Sequence, residues 1–268
     1  MAIAFLTSFR TFNNNIDLCL IPYDDDFDQI EALQHEFQFE IFRISDILNA
    51  CDDISIQFHN NRVGAYRKLA AWTGPFDEFL YIDIDTIVHA SVDFVFDQLC
   101  HADILTSHSN NANTRQWVWK DAIDNHQTPL TTEQINFGAN TGFIVCNKST
   151  MDFEWIRNSV DAALKMKDFM ELDCMEQPFL NYLFVTSGNT YTSMGCLDLD
   201  FPRELWAGTP GATFVDGKLT SPWGNPILFI HWAGVWRSRE SLHEMPYKDL
   251  WLHFRNMNTN MPTFPEIS

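Results

Sequence analysis

The stretch FLYIDIDTIV, residues 79–88, decides how this chain is interpreted. Its four apolar residues at 79–82 predict a short buried strand, and Asp83 and Asp85 follow at the carboxyl end of that strand. In open α/β sheets, ligands bind at the carboxyl ends of the strands. Two carboxylates spaced i, i+2 around a turn can converge on one Mg²⁺ or Mn²⁺ ion, because these cations prefer oxygen ligands. The alternative is a pair of solvated acids that cap a helix at residues 91–99.

Two enzyme classes use this string. In D-x-D glycosyltransferases the aspartates hold a metal on the diphosphate of a nucleotide sugar. In haloacid-dehalogenase-type phosphatases the similar string D-x-D-x-T begins the catalytic strand, and in that case Asp83 would be the nucleophile and Asp85 the acid and base. That string usually lies on the first strand of the phosphatases, whereas here some eighty structured residues precede it. The phosphatases also have a later acidic element, for which residues 198–200 (DLD) are a poor match, so the context favours the glycosyltransferase.

The composition limits the partners of the protein. The 268 residues include 17 basic and 36 acidic side chains, a net charge of −19, which argues against nucleic acid and anionic membrane surfaces as partners. With 46% hydrophobic residues the chain can fill one large core, so we expect a single domain over residues 1–268, with a helical segment at about 240–260. No apolar run approaches the ~20 residues of a membrane-spanning helix. The six cysteines form no C-x-x-C pair, and we expect a soluble, cytoplasmic protein.

The hydrophobic pattern predicts an α/β fold. Apolar runs predict strands at residues 2–8, 16–22, 39–44, 79–82, 103–107, 142–147 and 227–232. Helical spacing predicts helices from the acidic turn at 24–26 to about 38, and at 62–72, 91–99, 151–166, 176–185 and 242–254. This alternation is typical of a Rossmann-like domain with a mostly parallel central sheet flanked by helices. Residues 107–134 are polar and irregular, which indicates a functional loop or short helices near a site, or else a surface insertion.

Four motifs occur in an order that resembles a known family. Residues 65–96 read AYRKLAAWTGPFDEFLYIDIDTIVHASVDFVF, followed by FGANTGF at 137–143, EQPFLN at 176–181 and HWAGVWR at 231–237. Over roughly residues 2–240 this resembles the family 8 glycosyltransferases, which include glycogenin and bacterial lipopolysaccharide galactosyltransferases. The resemblance implies a GT-A-type domain and a retaining transfer of a sugar from a nucleotide diphosphate sugar, a UDP-sugar, with Mn²⁺ or Mg²⁺. The acceptor would be a hydroxyl of a glycan, a lipid-linked sugar, a protein or a small molecule.

The metal site implied by the resemblance has a third ligand. His231 follows the apolar run at 227–230 and so stands at the end of a strand, where a neutral imidazole can join Asp83 and Asp85 on the metal. The resemblance implies that role. A histidine hydrogen-bonded in the core is the other interpretation.

Several residues are candidates for binding the donor. The resemblance implies that Lys68 faces the nucleotide, although a lysine on an amphipathic helix can also extend along the surface into solvent. Thr7 and Ser8 close the predicted first strand, where the resemblance places contacts to uracil and ribose; they could also merely terminate that strand. Gly234 permits close approach of the backbone to a phosphate. Arg237 stands where the family usually has Lys, and its planar guanidinium keeps the charge with altered geometry.

Three residues are candidates for the transfer itself. In the family, an acid and a glutamine at the start of a helix face the sugar, and Glu176 and Gln177 match them, with Glu in place of the family's Asp. Both could instead simply occupy the first turn of the helix, where an acid is favoured. Asn140 would contact the donor sugar or the acceptor, or else serves as a turn residue before Gly142.

A third hypothesis is a non-catalytic module that binds nucleotide sugars or glycans. Tryptophans at residues 117–119, 206 and 232–236, interpreted as exposed, would suit stacking against sugars. Such a module would bind a donor without releasing UDP.

Overall fold

Helices and strands alternate along the chain in the computed structural model, which describes residues 1–197, 201–216, 218–235 and 244–257. The strands of these residues are β1 (Leu18–Leu20), β2 (Phe39–Ile41), β3 (Glu78–Ile82), β4 (Thr86–Val88), β5 (Ile104–Thr106), β6 (Phe143–Asn147), β7 (Tyr191–Ser193), β8 (Arg203–Trp206), β9 (Thr213–Val215), β10 (Lys218–Thr220) and β11 (Ile227–His231). The α-helices are α1 (Ala2–Phe12), α2 (Asp28–Glu31), α3 (Gln34–Phe37), α4 (Ser45–His59), α5 (Phe94–Asp97), α6 (Ala112–Arg115), α7 (Thr132–Phe137), α8 (Phe153–Leu164), α9 (Gln177–Thr186) and α10 (Lys248–Asn256). Among the described residues, no helix is both long and apolar enough to cross a membrane.

The chain divides into two compact units, which we name by their places in the sequence. The central unit comprises Asp17–Ile82 and Val92–Leu199. The terminal unit comprises Met1–Ile16, Asp83–Ser91 and Asp200–Ser268. The chain therefore passes from the central to the terminal unit between Ile82 and Asp83, within the stretch that carries the two aspartates. The single domain expected from the chain length stays a prediction.

Two sheets form the central unit. β1 pairs with β2 in parallel, and a four-stranded sheet has the order β3-β6-β5-β7. In the larger sheet, β6 is antiparallel to both β3 and β5, while β5 and β7 are parallel. The strands are short, and β5 and β6 are buried almost throughout. α8 packs against α4, α9 and the 3₁₀ helix Gly64–Thr73. This arrangement encloses a large apolar core that includes Phe58, Trp119 and Phe179.

The terminal unit is built on a three-stranded sheet of order β4-β11-β8 and on the hairpin β9–β10. β11 is antiparallel to β4 and parallel to β8. One side of this sheet contributes Ile87, Leu205 and Ile230 to an apolar core with Trp232 and Phe254. Because side chains alternate along a strand, the residues between them point to the opposite face.

The α/β fold class is confirmed, and the sheets are mixed rather than purely parallel. Only β1–β2, β5–β7 and β8–β11 are parallel pairs among the described strands. A tally of alternating strands and helices does not reveal strand direction, because direction depends on which strands become neighbours. The predicted strands at 16–22, 39–44, 79–82, 103–107, 142–147 and 227–232 all overlap an observed strand.

The first element is a helix, so the strand predicted at residues 2–8 is wrong. Seven residues of α1 are buried. A helix buried on most sides lacks the alternation of apolar and polar faces by which a helix is recognised in a sequence. A short apolar run is compatible with a buried strand or a buried helix. The apolar residues continue through Phe9 and Phe12, and the whole segment forms an 11-residue helix. Arg10 lies in its last turn, where the helix dipole favours a cation.

Other predicted helices are changed in extent. The helix expected from 24–26 to about 38 is two short helices, α2 and α3, and Gln38 ends α3 in a left-handed conformation with φ 50°. No element was predicted over α4, whose Asp52 is buried in an ion pair with Arg67 at 2.8 Å. The helix expected at 242–254 is observed as α10, and its first residues, 242 and 243, lie outside the described residues.

The tryptophans interpreted as exposed differ in burial: Trp117 is half-buried, and Trp236 lies outside the described residues. Trp119 and Trp232 are buried in the cores of the central and terminal units, so that interpretation is wrong for them. Trp206 is exposed. Residues 107–134 are mostly irregular, as predicted, but their apolar side chains, such as Val118 and Ile123, anchor the segment to the core.

Candidate functional site

Asp83 and Asp85 lie between the end of β3 and the start of β4. The turn that carries them is fixed by two hydrogen bonds: Thr86 Oγ1 donates to the Asp83 carbonyl at 2.7 Å, and the Trp232 backbone N–H donates to the Asp85 carbonyl at 2.9 Å. Both carboxylates remain partly accessible, with side-chain exposures of 29% and 24%. They are thus held by the backbone and are open to a ligand, unlike acids that merely cap a helix.

The terminal unit brings His231 to these two carboxylates. His231 is the last residue of β11 and pairs with Thr86 of β4, which places it beside the aspartate turn. Its Nε2 atom lies 3.3 Å from Asp85 Oδ1 and 3.9 Å from Asp83 Oδ2. One ligand atom from each residue lies within 4.8 Å of the others. We call Asp83, Asp85 and His231 the metal triad, because two carboxylates and an imidazole are a donor set that suits a divalent cation.

Glu204 orients the imidazole of His231, and the sequence analysis missed it. On the neighbouring strand β8, Glu204 Oε1 lies 2.7 Å from His231 Nδ1, and both side chains are almost fully buried. A carboxylate at Nδ1 fixes the tautomer that leaves the Nε2 lone pair for a metal. The only signal in the sequence is a single acid in FPRELW, residues 201–206, followed by the apolar pair Leu205 and Trp206.

The charge around His231 is strongly negative. Burial alone lowers the pKa of His231, but the carboxylates of Asp85 and Glu204 outweigh it and hold the pKa well above its usual value. This part of the terminal unit therefore favours a positive charge at the imidazole. A divalent cation would supply that charge and displace the proton from Nε2.

Glu204→Gln is expected to weaken Mn²⁺ binding by about 10- to 100-fold, because the variant loses the charge that orients and polarises His231. The measurement is titration of Mn²⁺ followed by electron paramagnetic resonance. Glu244→Gln, at an exposed position of the terminal unit, is the matched control and should leave the affinity unchanged. An affinity equal to wild type in Glu204→Gln, with the same melting temperature, would contradict the orienting role.

A second polar cluster lies in the central unit around Lys68 and Glu176. Lys68 Nζ is 2.5 Å from Glu176 Oε1, and the two side chains are 4% and 7% exposed. Lys68 also donates to the Thr141 carbonyl at 3.2 Å, and its ammonium lies 4.9 Å from the centre of the Tyr81 ring. The surface position considered for Lys68 is therefore wrong: the residue is an internal cation paired with an acid.

The start of α9 is tied to the segment before β6. The side-chain oxygen of Gln177 accepts from the Thr141 backbone N–H at 3.2 Å, and its amide donates to the Trp117 carbonyl at 3.1 Å. One turn later, Asn181 donates to and accepts from the backbone of Ala139, at 2.9 and 2.6 Å. Glu176 accepts from Thr141 Oγ1 at 3.2 Å. Glu176 and Gln177 thus do more than occupy a first helical turn, because both are hydrogen-bonded to Thr141.

Asn140 lies in the segment that α9 holds. Its Oδ1 accepts from the Gly142 backbone N–H at 2.8 Å, and its side chain is buried. This contact fits the turn interpretation of Asn140. Lys68, Asn140, Glu176 and Gln177 are together in the central unit, whereas the metal triad belongs to the terminal unit.

The remaining donor-binding candidates lie in the terminal unit. Thr7 and Ser8 do not end a strand: they are buried within α1, where Ser8 Oγ donates to the Phe5 carbonyl and accepts from the Val88 backbone N–H at 3.0 Å. The predicted strand end is therefore absent, and the nucleoside contacts at these two residues stay a prediction. Gly234 has φ 74°, a backbone conformation that favours glycine. Arg237 lies outside the described residues.

The fold is similar to that of solved glycosyltransferases. The bifunctional glycosyltransferase WbbM, in its apo form, matches with a TM-score of 0.61 at 15% identity, over 96% of this chain and 47% of WbbM, so the chain spans about half the length of that protein. The galactosyltransferase LgtC, in complex with donor and acceptor sugar analogues, matches with a TM-score of 0.51 at 14% identity, over 94% of this chain and 98% of LgtC. Mouse xyloside xylosyltransferase 1, in its apo form, matches with a TM-score of 0.50 at 12% identity, over 87% of this chain and 91% of that one.

No family model matches the sequence, and no curated protein matches it. At 12–15% identity, the structural likenesses establish the fold. The chain has the GT-A-type α/β fold of glycosyltransferases, as the resemblance to family 8 implied. What the chain does on this fold has to be argued from its own residues.

Proposed function

We propose that the chain is a metal-dependent glycosyltransferase that moves a sugar from a UDP-sugar to an acceptor hydroxyl. The observation that carries the proposal is the metal triad with Glu204 behind His231, on a fold that glycosyltransferases use. Two carboxylates and an oriented imidazole suit a divalent cation on a diphosphate. A bound Mn²⁺ or Mg²⁺ ion would neutralise the charge that develops on the leaving UDP.

The terminal unit supplies the groups for the diphosphate in this proposal. Asp83 and Asp85 present accessible carboxylates from a turn fixed by backbone hydrogen bonds, and His231 presents Nε2 from a buried position. The left-handed backbone at Gly234, three residues after His231, allows close approach of a phosphate. Arg237 is proposed as an additional cation for the diphosphate, in the place where the family has Lys.

The central unit supplies the groups for the sugar in this proposal. Glu176 and Gln177 are proposed to face the transferred sugar, with Gln177 near the reacting carbon, and Asn140 to contact the donor sugar or the acceptor. Their support is the rigid hydrogen-bond framework at the start of α9, because substrate contacts need fixed geometry. Lys68, held by Glu176, is proposed to add positive potential for the diphosphate. By resemblance to the family, the product keeps the α configuration of the donor.

The two rival hypotheses have less support. A haloacid-dehalogenase-type phosphatase would use Asp83 as a nucleophile on a phosphate monoester. A histidine aimed at both aspartates and itself oriented by a buried glutamate is better suited to holding a metal than to that reaction. The non-catalytic binding module was suggested by exposed tryptophans, and two of these, Trp119 and Trp232, are buried.

The proposal is tested by incubating the chain with a panel of nucleotide sugars and Mn²⁺ and measuring nucleotide release. The expected result is slow release of UDP from one UDP-sugar, abolished by EDTA, restored by Mn²⁺ and accelerated by an acceptor. Release of phosphate from p-nitrophenyl phosphate with Mg²⁺, without release of UDP, would support the phosphatase instead. Saturable binding of a UDP-sugar without any turnover would support the binding module.

A further inference from the structure

Trp206 lies directly beside the metal triad in the terminal unit. It is the last residue of β8, and the β8–β11 register places it opposite His231. Paired residues of neighbouring strands point to the same face of a sheet, at a strand spacing of about 5 Å. Trp206 therefore shares the face of the sheet that carries His231 and Glu204, whereas Leu205 points into the core.

The indole of Trp206 is exposed yet fixed in place. The residue is 43% exposed, and its Nε1–H donates to the Ala233 carbonyl at 3.1 Å, two residues after His231. The ring lies over Gly208: a Cβ atom at that position would come within 2.4 Å of ring carbons, so a larger residue there would displace the indole. Preorganisation of this kind lowers the cost of binding a ligand, because the side chain is already ordered.

A single exposed aromatic residue is common on protein surfaces and needs no explanation. Trp206 differs because three observations coincide: exposure, attachment to the backbone, and a position one strand away from a metal ligand. Trp223 is 71% exposed in the loop between β10 and β11. It shares the exposure of Trp206 but does not lie on a strand that pairs with His231. The apolar C–H face of a pyranose ring suits a flat indole surface, while the sugar hydroxyls stay in water.

We propose that Trp206 is a binding residue that stacks against a pyranose ring of the substrate and positions that ring beside the metal. This inference rests on the proposed function. The diphosphate of a UDP-sugar is bonded to the donor sugar at one end and to the ribose at the other, and the acceptor sugar approaches the donor end. The donor and acceptor sugars are the pyranose rings near a residue about one strand spacing from His231, whereas the ribose is a furanose that belongs to UDP itself.

The test compares Trp206→Ala and Trp206→Phe with the matched control Trp223→Ala. We expect the KM for one sugar substrate to rise about tenfold in Trp206→Ala, with kcat within about twofold of wild type. Trp206→Phe keeps an aromatic face and loses the hydrogen bond to Ala233, so its KM should rise less than in the alanine variant. Mn²⁺ affinity and melting temperature verify that each variant retains the metal triad and the fold.

The source of the ring is identified by two arms of the same experiment. If the ring is the donor sugar, Trp206→Ala removes the difference in affinity between the UDP-sugar that is turned over and UDP alone. If it is the acceptor sugar, binding of the UDP-sugar is unchanged and only the KM for a methyl hexopyranoside acceptor rises. Unchanged constants in Trp206→Ala, an equal loss in Trp223→Ala, or a loss of affinity for UDP alone would overturn the inference. A wild-type chain that neither binds nor hydrolyses any UDP-sugar would overturn the proposed function itself.

Discussion

Asp85→Asn is expected to reduce UDP release roughly a thousandfold and to abolish measurable Mn²⁺ binding. Metal stabilisation of a developing charge contributes several kcal/mol to catalysis, and about 1.4 kcal/mol corresponds to a factor of ten in rate. The substitution removes one ligand charge next to His231 Nε2, at 3.3 Å, and keeps the side-chain shape. The bond from the Trp232 N–H to the carbonyl of residue 85 involves the backbone alone, so the turn should persist.

The measurement pairs an assay of UDP release with electron paramagnetic resonance of Mn²⁺. Asp216→Asn is the control, because Asp216 is an exposed acid of the terminal unit whose left-handed φ of 49° also suits asparagine. It removes the same charge and should change neither readout. Wild-type turnover in Asp85→Asn would contradict the assignment of the metal triad, whatever the control does.

Lys68→Met and Glu176→Gln are each expected to lower the free energy of unfolding by about 3–5 kcal/mol, whereas the double variant should lose much less. Each single substitution leaves one charge inside the central unit without its ion partner at 2.5 Å. The remaining charge cannot be solvated, since both side chains are less than a tenth exposed. The double variant removes both charges, so the two effects should be strongly non-additive.

Urea unfolding of the four proteins gives the coupling free energy. Lys148→Met is the matched control, because Lys148 pairs with Asp77 at 3.1 Å while their side chains are 40% and 93% exposed. An exposed pair of this kind contributes less than about 1 kcal/mol. Additive losses in the double variant, or single losses as small as in the control, would contradict a coupled buried pair.

Most strands could be predicted from the sequence because their apolar runs are short and bounded by polar residues. β3, β6 and β11 all coincide with predicted runs, and α8 and α9 with predicted helices. α1 could not be distinguished from a strand, because a helix buried on most sides carries no amphipathic pattern. α4 was not predicted, because the buried side of this helix carries an acid, Asp52. Ion pairs with Arg67 and Arg62 make that acid acceptable there.

Hydrophobic runs and their polar ends are local properties, so Asp83 and Asp85 could be placed after a strand, and His231 at the end of another, from the amino-acid sequence. The pairing of β4 with β11, which brings the three side chains together, and the position of Glu204 on β8 behind His231 are seen in the folded chain alone. The folded chain also shows that Lys68 is internal and paired with Glu176, and that Trp206 is fixed beside His231. The physical reason is that burial, ion pairing and strand order depend on contacts between residues distant in sequence, which no local pattern encodes.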